Sequence, residues 1–152
     1  MLKRNSPLLD EHHILRHIPS ARVFKNDDGA PERVSEAAFR LKEKEDGTLE
    51  KGLSFQWLEY FELTLEESIV ESVKHLSDYR KLRDNDFFAS FNVSEFKNLC
   101  LEHKEKVNIG YFPTRIINHA EVRNFPNDNF FLEKKFADTA LDRLLKKKEI
   151  LP

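Results

Sequence analysis

The sequence predicts a single α+β domain with a mostly antiparallel sheet and three main helices. Two observations predict this class. Short apolar stretches that suit strands alternate with proline and glycine turns, and three longer segments repeat apolar residues at helical spacing. The four glycines lie far apart, which argues against P-loop and dinucleotide-binding folds. A chain of 152 residues fits one domain, and its 13 phenylalanines predict a tightly packed core.

Composition excludes several functional classes. The 25 basic and 27 acidic residues give a net charge of −2, which does not favour nucleic-acid binding. The single cysteine, Cys100, has no partner for an internal disulfide, and no apolar run is long enough to span a membrane. The first residues lack the apolar stretch of a signal peptide. The cytosol is therefore the predicted compartment, and no cofactor is predicted.

The first predicted elements are a frayed lead-in over residues 1–10 and a strand over residues 12–18, which ends at Pro19. Alternation places two sets of residues on opposite faces of this strand: Ile14, Arg16 and Ile18 on one, and His13, Leu15 and His17 on the other. An arginine between two isoleucines either extends to solvent or is held for a carboxylate or phosphate.

The middle of the chain leaves alternatives open. Residues 34–41 suit a strand or a short helical turn, and the charged residues 42–51 suit an exposed hairpin or a mobile loop. Residues 52–61 hold the only tryptophan, Trp57. They predict a return strand followed by a short helix with Ser54 as its N-cap, or a strand that continues through Trp57.

The second half contains the three helices. Thr64 and Glu67 form the capping-box pattern of a helix that runs to residue 82 or 83. Ser94 is the predicted cap of the second helix, and residues 131–148 form the third. The remaining predictions are a connector that holds Phe87, Phe88 and Phe91 and two strands over residues 107–112 and 114–125.

Five residues are candidates for a catalytic site: Arg16, Ser54, Glu59, His119 and Glu121. In an extended strand, His119 and Glu121 point to the same face as Ile117 and Arg123. A histidine beside a carboxylate is a usable acid–base pair, although a solvated sheet face explains the same pattern. His13 and His17 are four residues apart, but the ligand set is incomplete and no metal site is predicted. Cys100 lies on an apolar helix stripe and is not predicted to be a nucleophile.

Charge along the chain is uneven. Residues 59–71 contain five glutamates and no lysine or arginine, whereas the last twenty residues are rich in lysine. This asymmetry predicts docking to another protein, although solvated helix faces are the alternative. The predicted docking residues are Glu66, Glu67, Glu71, Lys146, Lys147 and Lys148. Nucleic acid is a weaker alternative partner, and no membrane partner is predicted.

Several short stretches carry a family resemblance: His13-Ile14-Leu15-Arg16, Ser35-Glu36-Ala37-Ala38-Phe39, Leu53-Ser54, Trp57-Leu58-Glu59-Tyr60-Phe61 and His119-Ala120-Glu121. Together they resemble a family of small uncharacterised bacterial proteins, whose members often sit near mobile-element or defence-type loci. The resemblance touches patches between residues 13 and 121. It implies an association with such loci but no established activity. The phenylalanine-rich core, the separated acidic and basic stretches and the absence of a tight catalytic motif predict an accessory protein, of a defence or toxin–antitoxin type system, that acts through protein–protein contacts.

A second resemblance concerns the order of three residues. Arg16 on the first strand, Ser54 on a middle strand and the late Glu121 are similar in order to the key residues of ADP-ribosyltransferase toxins. In that family the arginine and serine hold the nicotinamide cofactor and the glutamate polarises the ribose. The flanking hydroxyls of that family are missing here, and His119 stands where a second glutamate or glutamine is usual.

Overall fold

The computed structural model describes residues 2–152. The strands are β1 (His13–Ile18), β2 (Val23–Lys25), β3 (Pro31–Val34), β4 (Gly52–Trp57), β5 (Phe87–Asn92), β6 (Asn108–Tyr111), β7 (His119–Arg123) and β8 (Leu145–Lys146). The helices are α1 (Leu65–Ser77), α2 (Val93–Glu102), α3 (Phe130–Leu141) and the single turn α4 (Lys147–Ile150), with short 3₁₀ helices at Ser20–Arg22, Glu36–Phe39 and Leu58–Phe61. The predicted α+β class, with a mostly antiparallel sheet and three main helices, is confirmed. Within the described residues, no helix has the length and apolar character needed to cross a membrane.

Six strands form one antiparallel sheet in the order β6-β7-β4-β1-β5-β8, and β2 and β3 form a separate two-stranded sheet. Gln56 of β4 pairs with His119 of β7, so the tryptophan segment and the late histidine strand are direct neighbours. β1 pairs with β5 at six positions, from His13 to Ile18. Its pairing with β4 covers only Ile14 and Leu15, so the sheet opens between the second half of β1 and the first half of β4.

The larger core lies between one face of the sheet, α2 and α3. It contains Ile14 and Ile18 of β1, as the predicted alternation requires. Phenylalanines fill its centre, and the rings of Phe96 and Phe136 stack with centroids 4.0 Å apart. Burial of rings of this size is the main favourable term for such a core. The thirteen phenylalanines thus act largely as packing residues.

The other face of the sheet is covered by α1. Leu15 and Phe88 contact a smaller apolar cluster that includes Val73 of α1. The predicted capping box at the start of α1 is confirmed, because the Thr64 side chain accepts from the Glu67 N–H and the Glu67 side chain accepts from the Thr64 N–H. Both bonds satisfy backbone donors that a free helix end leaves unpaired.

A buried polar network ties α1 to the sheet. The Gln56 Nε2 atom donates to the Ser72 carbonyl oxygen at 2.8 Å and to the Asn118 Oδ1 atom at 3.1 Å. The Asn118 amide nitrogen donates to the Trp57 carbonyl oxygen and to the Ser72 hydroxyl, both at 3.0 Å. Because each partner is buried, these bonds fix the position of α1 over β4.

Two predictions about connecting segments are wrong. Phe87, Phe88 and Phe91 belong to strand β5, not to a connector, and β5 buries apolar side chains on both faces. A strand buried on both sides reads as a continuous apolar run, without the alternation of a half-exposed strand. The predicted frayed lead-in is instead held along β6, where the Leu8 N–H donates to the Ile109 carbonyl oxygen at 2.9 Å.

Three helix ends also differ from prediction. α2 begins at Val93 and is capped by Asn92, not by Ser94. α1 ends at Ser77 rather than at residue 82 or 83, and α3 ends at Leu141 rather than at residue 148. After α3, both Nη atoms of Arg143 bind the Glu95 carboxylate, and the chain turns to pair β8 with the start of β5. This pairing covers part of a sheet edge that would otherwise be exposed. The helical spacing of apolar residues in the sequence does not indicate this pairing.

The open alternatives in the middle of the chain are resolved. Residues 52–57 form the continuous strand β4, with Leu53, Phe55 and Trp57 in the larger core. The helical turn is shorter and later than the predicted one, at Leu58–Phe61, and Ser54 caps nothing there. Residues 42–51 form the hairpin, closed by a bridge between Glu43 and Leu49. The predicted strand over residues 114–125 is confirmed only for β7.

Candidate functional site

The candidate site is a cleft where β1 and β4 separate, and Arg16 fills the opening. The Arg16 Nη1 atom donates to the Ser54 carbonyl oxygen at 2.7 Å. Its Nε and Nη2 atoms donate to the Ala38 carbonyl oxygen at 3.1 and 2.8 Å. The guanidinium therefore replaces main-chain hydrogen bonds that the separating strands do not make. Of the two predicted roles of Arg16, extension to solvent is wrong because the residue is buried, and retention for a carboxylate or phosphate stays a prediction.

Arg16 is a buried cation without a negative partner. Only 9% of the residue is exposed, and its guanidinium lies 5.9 and 5.5 Å from the ring centroids of Phe39 and Phe55. Burial lowers the pKa of Arg16 to about 10, so the group is still charged at neutral pH. A guanidinium has five N–H groups, and the three hydrogen bonds above go to neutral carbonyl oxygens. Two N–H groups and the full positive charge remain available.

Three further cations line the same cleft, namely Arg22, Lys42 and Arg80, together with the single carboxylate of Glu50. The arginines that do form ion pairs lie elsewhere and are Arg33, Arg40, Arg123 and Arg143. Among residues 2–152, none of the four cleft cations has a carboxylate oxygen within 4.0 Å. Partial burial and the charge of Arg16 lower the pKa of Lys42. Four cations around a single carboxylate make a site of positive potential that attracts anions.

His17 forms one wall of the cleft and holds Arg80 in place. Its Nε2 atom lies 3.0 Å from the Asp86 carboxylate, and its Nδ1 atom lies 3.1 Å from Nη1 of Arg80. Because a guanidinium only donates, Nδ1 accepts and the ring proton sits on Nε2. Burial, with Arg80 and Arg16 adding repulsion, lowers the pKa of His17 despite the opposing Asp86. The geometry and the pKa direction both describe a neutral imidazole.

Asp86 is fixed by its own hydrogen bonds. Its carboxylate accepts from the backbone N–H groups of Ser20 at 2.9 Å and Arg83 at 3.1 Å. Burial alone would oppose ionisation, but these bonds and the His17 contact outweigh it and lower the pKa of Asp86. An ionised Asp86 thus orients His17, which in turn orients Arg80 toward the cleft.

Three cavities meet at Ser54. The cationic cleft has a volume of about 70 Å³. A cavity of about 30 Å³ adjoins it and shares His17, Ser54 and Arg80, with His119 at its far wall. A third cavity of about 180 Å³ shares Glu50 and Ser54 with the cleft and reaches Glu121. Ser54 is half-buried and lines all three cavities, which are together called the groove across β4.

Four of the five predicted catalytic candidates line the groove, but they do not all lie on the same face of the sheet. Ser54 is the direct strand partner of Glu121, and the Glu121 Oε2 atom lies 3.9 Å from His119 Nδ1. His119 Nδ1 lies closer, at 2.9 Å, to the Phe112 carbonyl oxygen. Arg16 leaves the sheet on the face of Ile14, opposite to His119. Arg16 reaches the groove only because the strands separate beside it.

Glu59 lies outside this groove. The Glu59 Oε1 atom accepts from the backbone N–H of His13 at 2.6 Å. The Glu59 Oε2 atom lies 2.6 Å from the Nδ1 atom of the His13 ring. The pair joins the start of β1 to the 3₁₀ helix after β4. Glu59 therefore positions chain segments at the other end of β1 from the cleft.

The predicted docking residues lie on α1 and on the segment formed by β8 and α4. Glu66 and Glu67 are exposed in the first turn of α1, and Glu71 is paired with Lys74 at 3.3 Å. Lys146 is in β8, the Lys147 Nζ atom lies 3.5 Å from Asp84, and Lys148 is exposed. α1 contacts α4, so the elements that carry the acidic and the basic stretches are neighbours.

The alternation in β1 points to Arg16, but no sequence pattern points to the other cleft cations. Arg22, Lys42 and Arg80 come from a 3₁₀ helix, the hairpin and the chain after α1, with no regular spacing. His17 was placed on the correct face but not connected to Asp86, which is far away along the chain. Cys100 is buried and burial raises its pKa to about 12, which makes it a poor nucleophile. Within the described part of the chain, no three potential ligand side chains cluster as a metal site.

Comparison with protein-family models, with curated proteins and with solved structures finds no match for this chain. The function is therefore inferred from the geometry of the cleft.

Proposed function

We propose that this chain binds an anionic group in the cationic cleft. The observation that carries the proposal is Arg16, a buried cation whose hydrogen bonds go only to neutral carbonyl oxygens. Holding a guanidinium away from water without a counterion is unfavourable. A bound anion would supply that counterion, and would also separate the charges of Arg16, Arg22, Lys42 and Arg80.

Arginine suits this task for geometric reasons. Its planar guanidinium presents parallel N–H groups that match two oxygens of a carboxylate or phosphate. Hydrogen bonds between charged groups are roughly twice as strong as neutral ones, and burial reduces competition from water. Arg16 supplies the buried part of the site, whereas Arg22, Lys42 and Arg80 are exposed around it.

The test is a calorimetric titration with inorganic phosphate and with sulfate at physiological salt. The double variant R22Q/R80Q removes two exposed cations and keeps Arg16, so folding is expected to be retained. We expect it to weaken binding by roughly tenfold or more, because two charge-assisted contacts are lost. The matched control is R33Q, an exposed arginine paired with Glu36 outside the cleft, which leaves affinity unchanged. Absence of binding to the wild-type chain contradicts the proposal.

A second candidate function is docking to another protein through the exposed acidic and basic residues beside α1 and α4. The supporting observation is that Glu66, Glu67 and Lys148 are exposed on neighbouring elements. The expected result is that K146E/K147E/K148E loses a partner retained by wild type, whereas K134E/K135E on α3 does not. Equal retention by both variants contradicts it, and a salt-dependent gel shift abolished by the triple variant would favour nucleic acid instead. A tie to mobile-element or defence loci stays part of this proposal.

A catalytic alternative uses Arg16, Ser54 and Glu121 in the manner of ADP-ribosyltransferases. Its support is that Arg16 donates to the Ser54 carbonyl oxygen and that Ser54 pairs with Glu121. Such an enzyme releases nicotinamide from NAD, and E121Q would abolish the release. Failure of the wild-type chain at high concentration to release nicotinamide contradicts this alternative.

A further inference from the structure

We infer that the ligand is a phosphate monoester of a small polyhydroxy compound. Its phosphoryl group would occupy the cationic cleft, and its hydroxyl-bearing part would occupy the adjoining cavity beyond Ser54. This inference rests on the anion-binding function proposed above, and it names the class of ligand.

The charge of the cleft favours a phosphoryl group over a single carboxylate. Its four cations and one carboxylate leave a net charge of three positive units, with His17 neutral. A phosphate monoester carries close to two negative charges at neutral pH, whereas a carboxylate carries one. The dianion therefore compensates more of the positive charge.

The size of the cleft limits the anion to one such group. A buried water molecule needs roughly 10–15 Å³ of cavity volume. The cleft, at about 70 Å³, therefore has room for one central atom with a few non-hydrogen atoms bonded to it. This room suits one tetrahedral group with its oxygens directed at the guanidinium of Arg16. A larger anion would have to continue into the neighbouring cavity.

The neighbouring cavity is suited to a neutral, hydroxylated remainder. It is reached past Ser54 and Glu50 and has a volume of about 180 Å³. Glu50 and Glu121 supply carboxylate oxygens that accept from hydroxyl groups, and Lys44 and Lys51 supply donors. Glu121 is held in place by Arg123, whose Nε atom lies 3.0 Å from Oε1.

The walls of the same cavity also argue against one other class of ligand. In the part of the chain that the structure describes, no aromatic side chain lines this cavity, so a nucleobase has no ring to stack on. A polyhydroxy remainder, which exchanges hydrogen bonds with both the carboxylates and the lysines, is the chemistry that fits these walls.

The experiment compares four probes by calorimetry on the wild-type chain: inorganic phosphate, glycerol 3-phosphate, phenyl phosphate and glycerol. We expect glycerol 3-phosphate to bind roughly fivefold or more tightly than inorganic phosphate or phenyl phosphate, because its hydroxyl groups gain charged acceptors. Glycerol alone is expected not to bind. In the variant E121A, the preference for glycerol 3-phosphate over inorganic phosphate is expected to be lost, because the hydroxyl acceptor is removed. The control E102A, an exposed glutamate at the end of α2, changes neither affinity.

The outcomes separate this inference from the proposed function. If inorganic phosphate binds but glycerol 3-phosphate binds no more tightly, the ligand class is wrong and the anion site stands. Tighter binding of phenyl phosphate, or of a phosphoserine peptide, also overturns the ligand class, because the remainder would then be apolar or part of a protein. If none of the phosphates binds, both proposals fail. Should E121A not fold, the comparison of the four probes on the wild-type chain decides.

Discussion

The Nη1 atom of Arg16 lies 2.7 Å from the carbonyl oxygen of Ser54, at the point where β1 and β4 stop pairing. A side chain thus takes over hydrogen bonding that the main chain leaves incomplete. The same contact fixes a positive charge in the opening of the sheet. In this molecule one residue contributes both to the continuity of the sheet and to the potential of the candidate site.

Substitution of Arg16 by methionine is expected to destabilise the ligand-free chain. The variant keeps the apolar stem but leaves the Ser54 and Ala38 carbonyl oxygens without their donors. An unsatisfied buried polar group costs about 1–3 kcal/mol. We therefore expect the free energy of unfolding, measured in urea, to fall by about this amount. R33M, at a half-exposed position, is the control and stays within about 0.5 kcal/mol of wild type. Equal or higher stability of R16M would show that the desolvation of the buried charge destabilises the fold by as much as, or more than, its hydrogen bonds stabilise it.

The neutral state of His17 predicts a pH dependence of stability. Its pKa in the folded chain is lowered, so below the ordinary histidine value of about 6.5 the unfolded chain takes up a proton that the folded chain does not. The free energy of unfolding therefore falls as pH drops from about 7.5 to 5.5, by up to about 1.4 kcal/mol per pH unit from this one group.

The variant H17Q is expected to remove this part of the slope. A glutamine amide can donate to Asp86 and accept from Arg80, so the neighbouring contacts are kept. The measurement is urea unfolding of both proteins across this pH range, where the other histidines contribute equally to each. A steeper slope in H17Q would mean that an ion pair between protonated His17 and Asp86 outweighs the burial of the ring.

Loss of the Asn118 amide is expected to loosen α1 from the sheet. In N118A, the Trp57 carbonyl oxygen and the Ser72 hydroxyl lose a shared donor, and Gln56 loses an acceptor. We expect a loss of about 1–3 kcal/mol in the free energy of unfolding, with faster hydrogen exchange in α1. N129A, which removes only the cap of α3, is the comparison and leaves exchange in α1 unchanged. Unchanged hydrogen exchange in α1 of N118A would contradict the proposal that Asn118 holds α1 on the sheet.

Two neighbouring phenylalanine positions on α3 offer a matched test of the core. Phe136 is fully buried and stacked on Phe96, whereas 75% of Phe131 is exposed. F136A is expected to lower the free energy of unfolding by about 3–5 kcal/mol because it leaves a cavity. F131A stays within about 0.5 kcal/mol of wild type. A similar loss for both would show that Phe131 is buried in solution, for example against another molecule.

The parts of the fold that depend on local pattern were predictable. The capping box at Thr64 and the alternation in β1 are set by residues within a few positions of one another. The strand β5 was missed because burial on both faces removes its periodicity. The end of α3 was missed because it depends on Arg143 meeting Glu95, a contact between residues distant along the chain.

The candidate site shows the same division. The sequence alone determined that Arg16 lies between two buried isoleucines and needs an unusual environment, and that β1 places His17 on the opposite face. Only the tertiary structure decided that β1 and β4 separate there, and that Arg22, Lys42 and Arg80 gather around the opening. The physical reason is that side-chain direction follows from local backbone geometry, whereas the potential at a site sums charges that only folding brings close together.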